Sequence, residues 1–220
     1  MKDTIPVITL DGPAASGKGT IAERIATELG FHYLDSGALY RIATYAALKR
    51  HIDLDDHDKL VALVQDLKPR FEQGEIWLDG ERITTEIRSE RVSSATSQVA
   101  AVPAVRTALT ALQLAAARAP GLVADGRDMG TVIFPNAALK VFMTASARVR
   151  AERRYKQLLA RGESADLEAI TADLEARDLR DSQRSTAPLK PAPDAHILDT
   201  SAMSIEEVVK KILLWWTERA

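Results

Sequence analysis

Gly12-Pro13-Ala14-Ala15-Ser16-Gly17-Lys18-Gly19-Thr20 lies between a short apolar run and an amphipathic helical pattern, and this arrangement constrains the chain more than any other feature. Val7-Ile8-Thr9-Leu10 reads as a buried strand, while Ile21, Ile25, Ala26 and Leu29 recur at helical spacing. Glycines at 12 and 17 let the backbone wrap closely around a polyphosphate with its N–H groups turned inward. The helix N-terminus adds positive potential, and Lys18 supplies an ammonium for the β and γ phosphates. The common triphosphatase form has Ser or Thr directly after the lysine; here Gly19 intervenes before Thr20. The Thr20 hydroxyl then touches a phosphate oxygen or stands near magnesium through water, and Ser16 is another candidate phosphate donor.

At 220 residues and 46% hydrophobic, the chain can bury a sizeable core as one compact domain with small insertions. A formal charge of -2 gives no global basic footprint for nucleic acid, so local arginine clusters need another explanation. Without cysteine there are no disulfides, thiol nucleophiles or thiolate metal sites. His32, His51, His57 and His196 show no metal-ligand spacing. Met1-Lys2-Asp3 leads almost directly into the first strand, and no apolar run approaches the ~20 residues that span a bilayer. The expectation is a cytoplasmic protein without membrane partners.

Five apolar runs read as strands of one mostly parallel sheet: Val7–Leu10, His32–Leu34, Leu122–Ala124, Leu139–Met143 and His196–Leu198. Helical patterns separate them, which predicts an α/β sandwich with helices on both faces and its ligand beyond the carboxyl ends of the strands. Ser204 and Glu207 have capping-box spacing, and Val208, Ile212 and Trp215 follow as an apolar stripe. Trp215 and Trp216 are adjacent and cannot both point inward, so one is expected to be exposed. Two stretches break the rhythm. Arg70 to Ile87 alternates, with Glu72-Gln73-Gly74-Glu75 and Asp79-Gly80-Glu81-Arg82 as turns around Ile76-Trp77-Leu78, and predicts a small antiparallel insert. Arg148, Arg150, Arg153, Arg154, Lys156 and Arg161 form a basic helix, read either as a solvated face or as a lid that closes on an anion.

Charged residues gather at the expected strand ends. Asp35 follows the second strand, where a carboxylate can orient magnesium and its waters, although Asp35 or Ser36 can also simply cap the next helix. Arg41, on the first turns of that helix, is placed to reach a second phosphate, and Tyr40 is equally suited to packing. The third strand runs into Asp125-Gly126-Arg127-Asp128-Met129-Gly130. Arg127 offers a planar fork suited to a phosphate monoester, Asp125 suits a metal shell, and Asp128 suits an amino group or a ribose hydroxyl. Arg177, Asp181 and Arg184 fall at i, i+4 and i+7 on one helix face, as an anion site or as surface ion pairing. No nucleophile is needed, because in-line phosphoryl transfer depends on alignment, charge neutralisation and exclusion of water.

Together these residues resemble the bacterial cytidylate kinases of the nucleoside monophosphate kinase group. The resemblance runs from PVITLDGPAASGKGT through LDSGALYR, SQVAAVPAVR and VADGRDMGTVIFP to ARDLRDSQRSTAPL. It implies a P-loop three-layer fold with a five-stranded parallel core, and transfer of the ATP γ-phosphoryl group, assisted by Mg²⁺, to CMP or dCMP. It further implies a monophosphate-binding insert over 63–97 and a lid over 148–165, with core segments 1–62, 98–147 and 166–220. Ser36 and Asp128 would contact the cytosine-bearing substrate, Ser97 and Arg106 would recognise the base, and Arg41, Arg127 and Arg184 would grip the monophosphate. Arg177 and Asp181 would meet the sugar, Lys18 and the loop would hold ATP, and Arg153 or Arg154 would swing in with the lid. Relatives often carry Ser-Gly-Ala where this chain has Ala14-Ala15-Ser16. A monomer is expected. The rival readings are another phosphotransferase on the same scaffold, such as an adenylate or small-metabolite kinase, and a non-catalytic nucleotide-binding regulator.

Overall fold

The computed structural model describes residues 5–72 and 74–219. In chain order the elements are β1 (Val7–Asp11), α1 (Lys18–Leu29), β2 (His32–Asp35), α2 (Ser36–Lys49), α3 (His57–Asp66), β3 (Arg70–Glu72), β4 (Glu75–Leu78) and β5 (Glu81–Arg82). They continue with α4 (Glu90–Val99), α5 (Pro103–Ala115), β6 (Leu122–Gly126), β7 (Leu139–Thr144), α6 (Ala147–Ala160), α7 (Leu167–Gln183), β8 (His196–Asp199) and α8 (Ile205–Glu218). A 3-10 turn spans Glu86–Arg88 and a π-helical turn spans Met129–Ile133. The chain divides into two compact units, Met1–Asp35 with Leu114–Ala220, and the contiguous Ser36–Gln113.

The first unit is built on a parallel sheet of order β2-β6-β1-β7-β8, containing all five expected strands. Each strand continues past its apolar run at the carboxyl end, so Asp11, Asp35 and Asp125 sit where a parallel sheet presents its ligand face. On one face Ile8, Leu10, Val123, Val141 and Met143 pack against Ile21 and Ile25 of α1 and Val208, Val209 and Ile212 of α8. Helix α8 begins with the capping box read from its sequence: the Ser204 side chain accepts from the Glu207 amide, and the Glu207 carboxylate accepts from the Ser204 amide. Such a cap contributes about 1 kcal/mol.

Neither Trp215 nor Trp216 is left exposed, contrary to the sequence expectation. Both are half-buried against this core, because adjacent rings on α8 meet different partners. Trp216 lies edge-on to Phe31 with centroids 5.6 Å apart, and Trp215 stacks on His196 at 4.4 Å. The other sheet face carries Thr9, Asp11 and Lys140, with the π-helical turn laid against them. A Cβ on Gly130 would come within 2.8 Å of the Thr9 hydroxyl and 3.2 Å of the Lys140 side chain, so this close approach requires glycine.

In the second unit, α2 packs on α3, α4 and the 3-10 turn, with Ile42, Leu60, Ile83, Ile87, Val92, Val99, Val105 and Leu109 buried. The alternating stretch forms the expected antiparallel sheet β3-β4-β5, in register Arg70↔Trp77 and Trp77↔Arg82. Asp79 and Gly80 both take positive φ, 51° and 83°, which matches a tight two-residue hairpin to the strand twist. Lys49 and Arg50, at the end of α2, pair with Glu81 and Asp79 across this turn. Gln73, in the first expected turn, lies outside the described residues. Among the described residues no helix is long and apolar enough to cross a membrane.

Candidate active site

The glycine-rich loop joins β1 to α1. A Cβ at Gly12 would stand 2.2 Å from the Met143 carbonyl oxygen, and its φ of +154° also excludes ordinary side chains. Gly17 caps α1 in the left-handed region, and Ala15 takes the same region at φ 57°, where a non-glycine residue is strained. Positions 15 and 17 thus supply the alternating backbone turns that make an anion nest. The Lys18 ammonium is buried and donates to the Pro13 carbonyl at 3.2 Å. The Ser16 hydroxyl is buried and has no partner among the described residues, whereas Thr20 is exposed on the first turn of α1.

Strand pairing puts Asp35 of β2 directly opposite Asp125 of β6. Burial and the neighbouring Asp35 carboxylate push Asp125 upward, while burial and the Arg127 charge push the Lys18 ammonium downward. Tyr33 donates to Asp125 at 2.8 Å, and burial beside the carboxylates raises its phenol so that it stays a donor. A Cβ at Gly19 would sit 3.4 Å from that phenol oxygen and 3.9 Å from Asp125. These are ordinary van der Waals distances, so the glycine that replaces the usual Ser or Thr sits directly beside this carboxylate without being required there by space. A buried Asp125 and a half-buried Asp35, mutually repelling and beside the glycine-rich loop, suit a divalent cation. No group of three or more metal-ligating side chains exists among the described residues, so phosphate oxygens and water would complete the shell.

Arg127 donates through Nε to Asp181 at 3.0 Å, and Arg184 Nη2 lies 3.6 Å from the same carboxylate. Burial alone would raise Asp181, but Arg127, Arg184 and Arg177 outweigh it and hold the carboxyl below its usual range. Arg177, Asp181 and the Arg184 that caps α7 thus turn toward Arg127 rather than lacing the surface, whereas Leu179, Arg180, Ser182 and Gln183 between them are exposed. Asp128 is buried, and its carbonyl accepts from the Val132 and Ile133 amides of the π-helical turn. Lys18, Asp35, Asp125, Arg127, Arg177, Asp181 and Arg184 therefore share one electrostatic cluster in the first unit.

The basic helix α6 is not uniformly solvent-facing. Arg148 is exposed and pairs with Glu152 and Glu168, Arg150 is buried, and Arg154 is half-buried. Arg153 reaches the loop: Nη1 donates to the Ser16 carbonyl at 3.1 Å and to the Thr200 hydroxyl, and Nη2 to the Thr200 carbonyl. In the second unit, Ser36 opens α2 and is buried, and the Arg106 guanidinium lies 5.4 Å over the Tyr40 ring while donating to the Ala100 carbonyl. Arg41 Nε and Ser97 Oγ are buried without a partner among the described residues.

Sequence reasoning missed Asp11 and Tyr33, and read Arg150 only as one cation of the basic helix. Asp11, pushed up to about 6 by burial, accepts from the Met129 and Gly130 amides at 2.9 and 2.8 Å and braces the segment after Arg127. Its signal was a carboxylate on the last residue of a parallel strand. Tyr33 was legible only through strand pairing. Arg150 shared the i, i+3 spacing of Arg153.

The cytidylate kinase family model matches residues 8–218. The chain is 56% identical to the cytidylate kinase of Ralstonia pickettii (strain 12J) over 213 residues, covering 97% of this chain and 92% of that protein. It is 55% identical to that of Ralstonia nicotianae over 213 residues (97% and 93%), and 56% identical to that of Burkholderia vietnamiensis over 211 residues (96% and 92%). With both the sheet and the arginine-lined strand ends in place, the chain belongs to the cytidylate kinase family.

Proposed function

We propose that this protein transfers the γ-phosphoryl group of ATP directly to CMP or dCMP, giving ADP and CDP or dCDP without a covalent enzyme intermediate. The observation that carries the reading is the convergence of Lys18, Arg127, Asp181 and Arg184 on the strand ends beside the glycine-rich loop. Gly12 to Thr20 hold the triphosphate, with the Lys18 ammonium following charge as the phosphoryl group moves. Arg127, Arg184 and Arg41 grip the acceptor phosphate. Arg177 and Asp181 meet the sugar, and Arg153 or Arg154 adds charge over the transferring group. Mg²⁺, held through water by Asp35 and Asp125, would neutralise phosphate oxygens. The insert 63–97 serves the monophosphate and 148–165 acts as a lid on a core formed by the remainder. The working form is a cytoplasmic monomer that binds no nucleic acid.

Base choice rests on Ser36, Ser97, Arg106 and Asp128. Cytosine has an amino donor and two acceptors, N3 and O2; a serine or carboxylate takes the donor and an arginine satisfies the acceptors. The unpartnered Ser97 hydroxyl and the buried Arg106 suit that pattern. Uracil reverses donor and acceptor at positions 3 and 4, which leaves buried groups unpaired at about 1–3 kcal/mol each. A coupled assay of ADP release with ATP–Mg²⁺ and CMP, dCMP, UMP, AMP or no acceptor tests this. Turnover confined mainly to CMP and dCMP, with UMP at least about tenfold poorer in kcat/KM, is expected. Preference for AMP would overturn the base assignment, and nucleotide binding with no turnover would favour a regulatory binder. In the same assay Arg184→Met raises KM for CMP at least about tenfold and leaves KM for ATP within about twofold, as loss of one charge-assisted phosphate contact predicts.

A further inference from the structure

Arg150 is buried, yet its guanidinium touches three separate pieces of the first unit. Nε donates to the Ala145 carbonyl at 2.9 Å, and Nη1 donates to the Ala14 carbonyl of the glycine-rich loop at 3.1 Å. Both terminal nitrogens also engage the two carboxylate oxygens of Asp178 on α7. The same region is sealed by an apolar cluster of Ala14, Ala151 and Leu174, with Ala15, Leu167 and Ile170 against it. A planar trans peptide points its C=O and the next N–H in opposite directions. Arg150, by holding the Ala14 carbonyl toward α6, turns the Ala15 amide away from it. Arg153, one turn on, does the same to the Ser16 carbonyl and hence the Gly17 amide. Two arginines of one helix therefore set alternate peptide planes at 15 and 17, the positions with positive φ.

We propose that Arg150 is a positioning residue that locks the peptide planes of the phosphate loop to α7, so that filling the loop is transmitted to Arg177, Asp181 and Arg184. This rests on the reading of the loop and of α7 as donor and acceptor sites. Ala14 lies on the loop, and Asp178 is adjacent to Arg177 and one turn before Asp181, so the connection crosses a single side chain. The Ala14 and Ala15 methyls, absent from a Ser-Gly sequence in part, lie in the apolar half of the same joint. A buried guanidinium with a bidentate carboxylate partner has one well-defined arrangement, which gives the loop and the helix a common geometry.

Amide hydrogen exchange with Mg²⁺ and ADP tests the link without requiring turnover. In the wild type, MgADP slows exchange in residues 12–20 and also in residues 170–183. In Arg150→Met the loop remains protected, but ligand-dependent protection of 170–183 falls at least about fivefold. In activity assays kcat for CMP falls about 10- to 100-fold, with both KM values within about threefold, as misplacement of aligned groups predicts. Asp178→Asn keeps the Arg150 bond to Ala14 and loses only the α7 protection, and the double variant is no worse than Arg150→Met alone. Should Arg150→Met fail to fold, Arg150→Lys, which keeps the charge but spans fewer acceptors, carries the same comparison. Undiminished protection of 170–183 in these variants, or none there in the wild type, overturns the proposal. A wild type that does not phosphorylate CMP sinks the proposed reaction but leaves the exchange result to decide the role of Arg150.

Discussion

Lys18→Met is expected to lower kcat at least about 10³-fold, or about 4 kcal/mol of transition-state stabilisation, without lowering the melting temperature. The first half follows from the role of an ammonium that stays with the migrating charge. The second half follows from the nucleotide-free electrostatics. Burial and the Arg127 and Arg177 charges push the Lys18 ammonium down, more than Asp125 and Asp35 push it up. A lysine whose folded pKa lies below its unfolded value is held charged at a cost. That cost is fully present below the folded pKa and vanishes as pH rises to the unfolded pKa. Methionine occupies the same aliphatic space and carries no charge, so the variant keeps or gains stability at neutral pH and below. Steady-state kinetics with ATP and CMP, run beside scanning calorimetry, checks both halves. A fall in kcat that merely tracks a lower melting temperature would contradict the assignment.

Gly12→Ala acts in the opposite sense, through backbone rather than charge. The added Cβ meets the Met143 carbonyl at 2.2 Å, and neither side can yield, because β1 and β7 are paired through Asp11↔Phe142. Overpacking against backbone, together with a φ of +154°, is expected to cost about 3 kcal/mol or more and to lower the melting temperature by roughly 10 °C. ATP binding is lost with the loop geometry. Gly30→Ala is the matched control: it also has positive φ, 65°, but a Cβ there meets nothing within 4 Å, so about 1 kcal/mol is expected. Equal losses from the two substitutions would show that the Met143 contact carries no weight.

The sheet was legible because β1, β6 and β7 are short apolar runs between helical patterns, and the Ser204 cap because its partner lies three residues away. What lay beyond the sequence depends on pairing between distant segments. Asp35 and Asp125 are neighbours only because β2 pairs with β6, and nothing local says so. The arginines of α6 look alike in sequence, yet Arg148 faces solvent and Arg150 is buried. A charge pattern records that cations are present, and packing decides which of them leaves water. The tryptophan expectation failed for a related reason: periodicity describes one helix, and the partners of Trp215 and Trp216, His196 and Phe31, come from other segments.

The order of strands in the sheet also bears on synthesis. β1 is central, and its two neighbours, β6 and β7, emerge more than a hundred residues after it, whereas the whole second unit, Ser36–Gln113, is contiguous and leaves the ribosome before either. At translation rates of about 5–20 residues per second, Val7–Leu10 waits on the order of 10 s for its partners. During that interval a strand destined to be wholly buried has two open edges, a hazard for intermolecular pairing. The nascent chain, rather than the finished fold, is where this architecture most needs a chaperone.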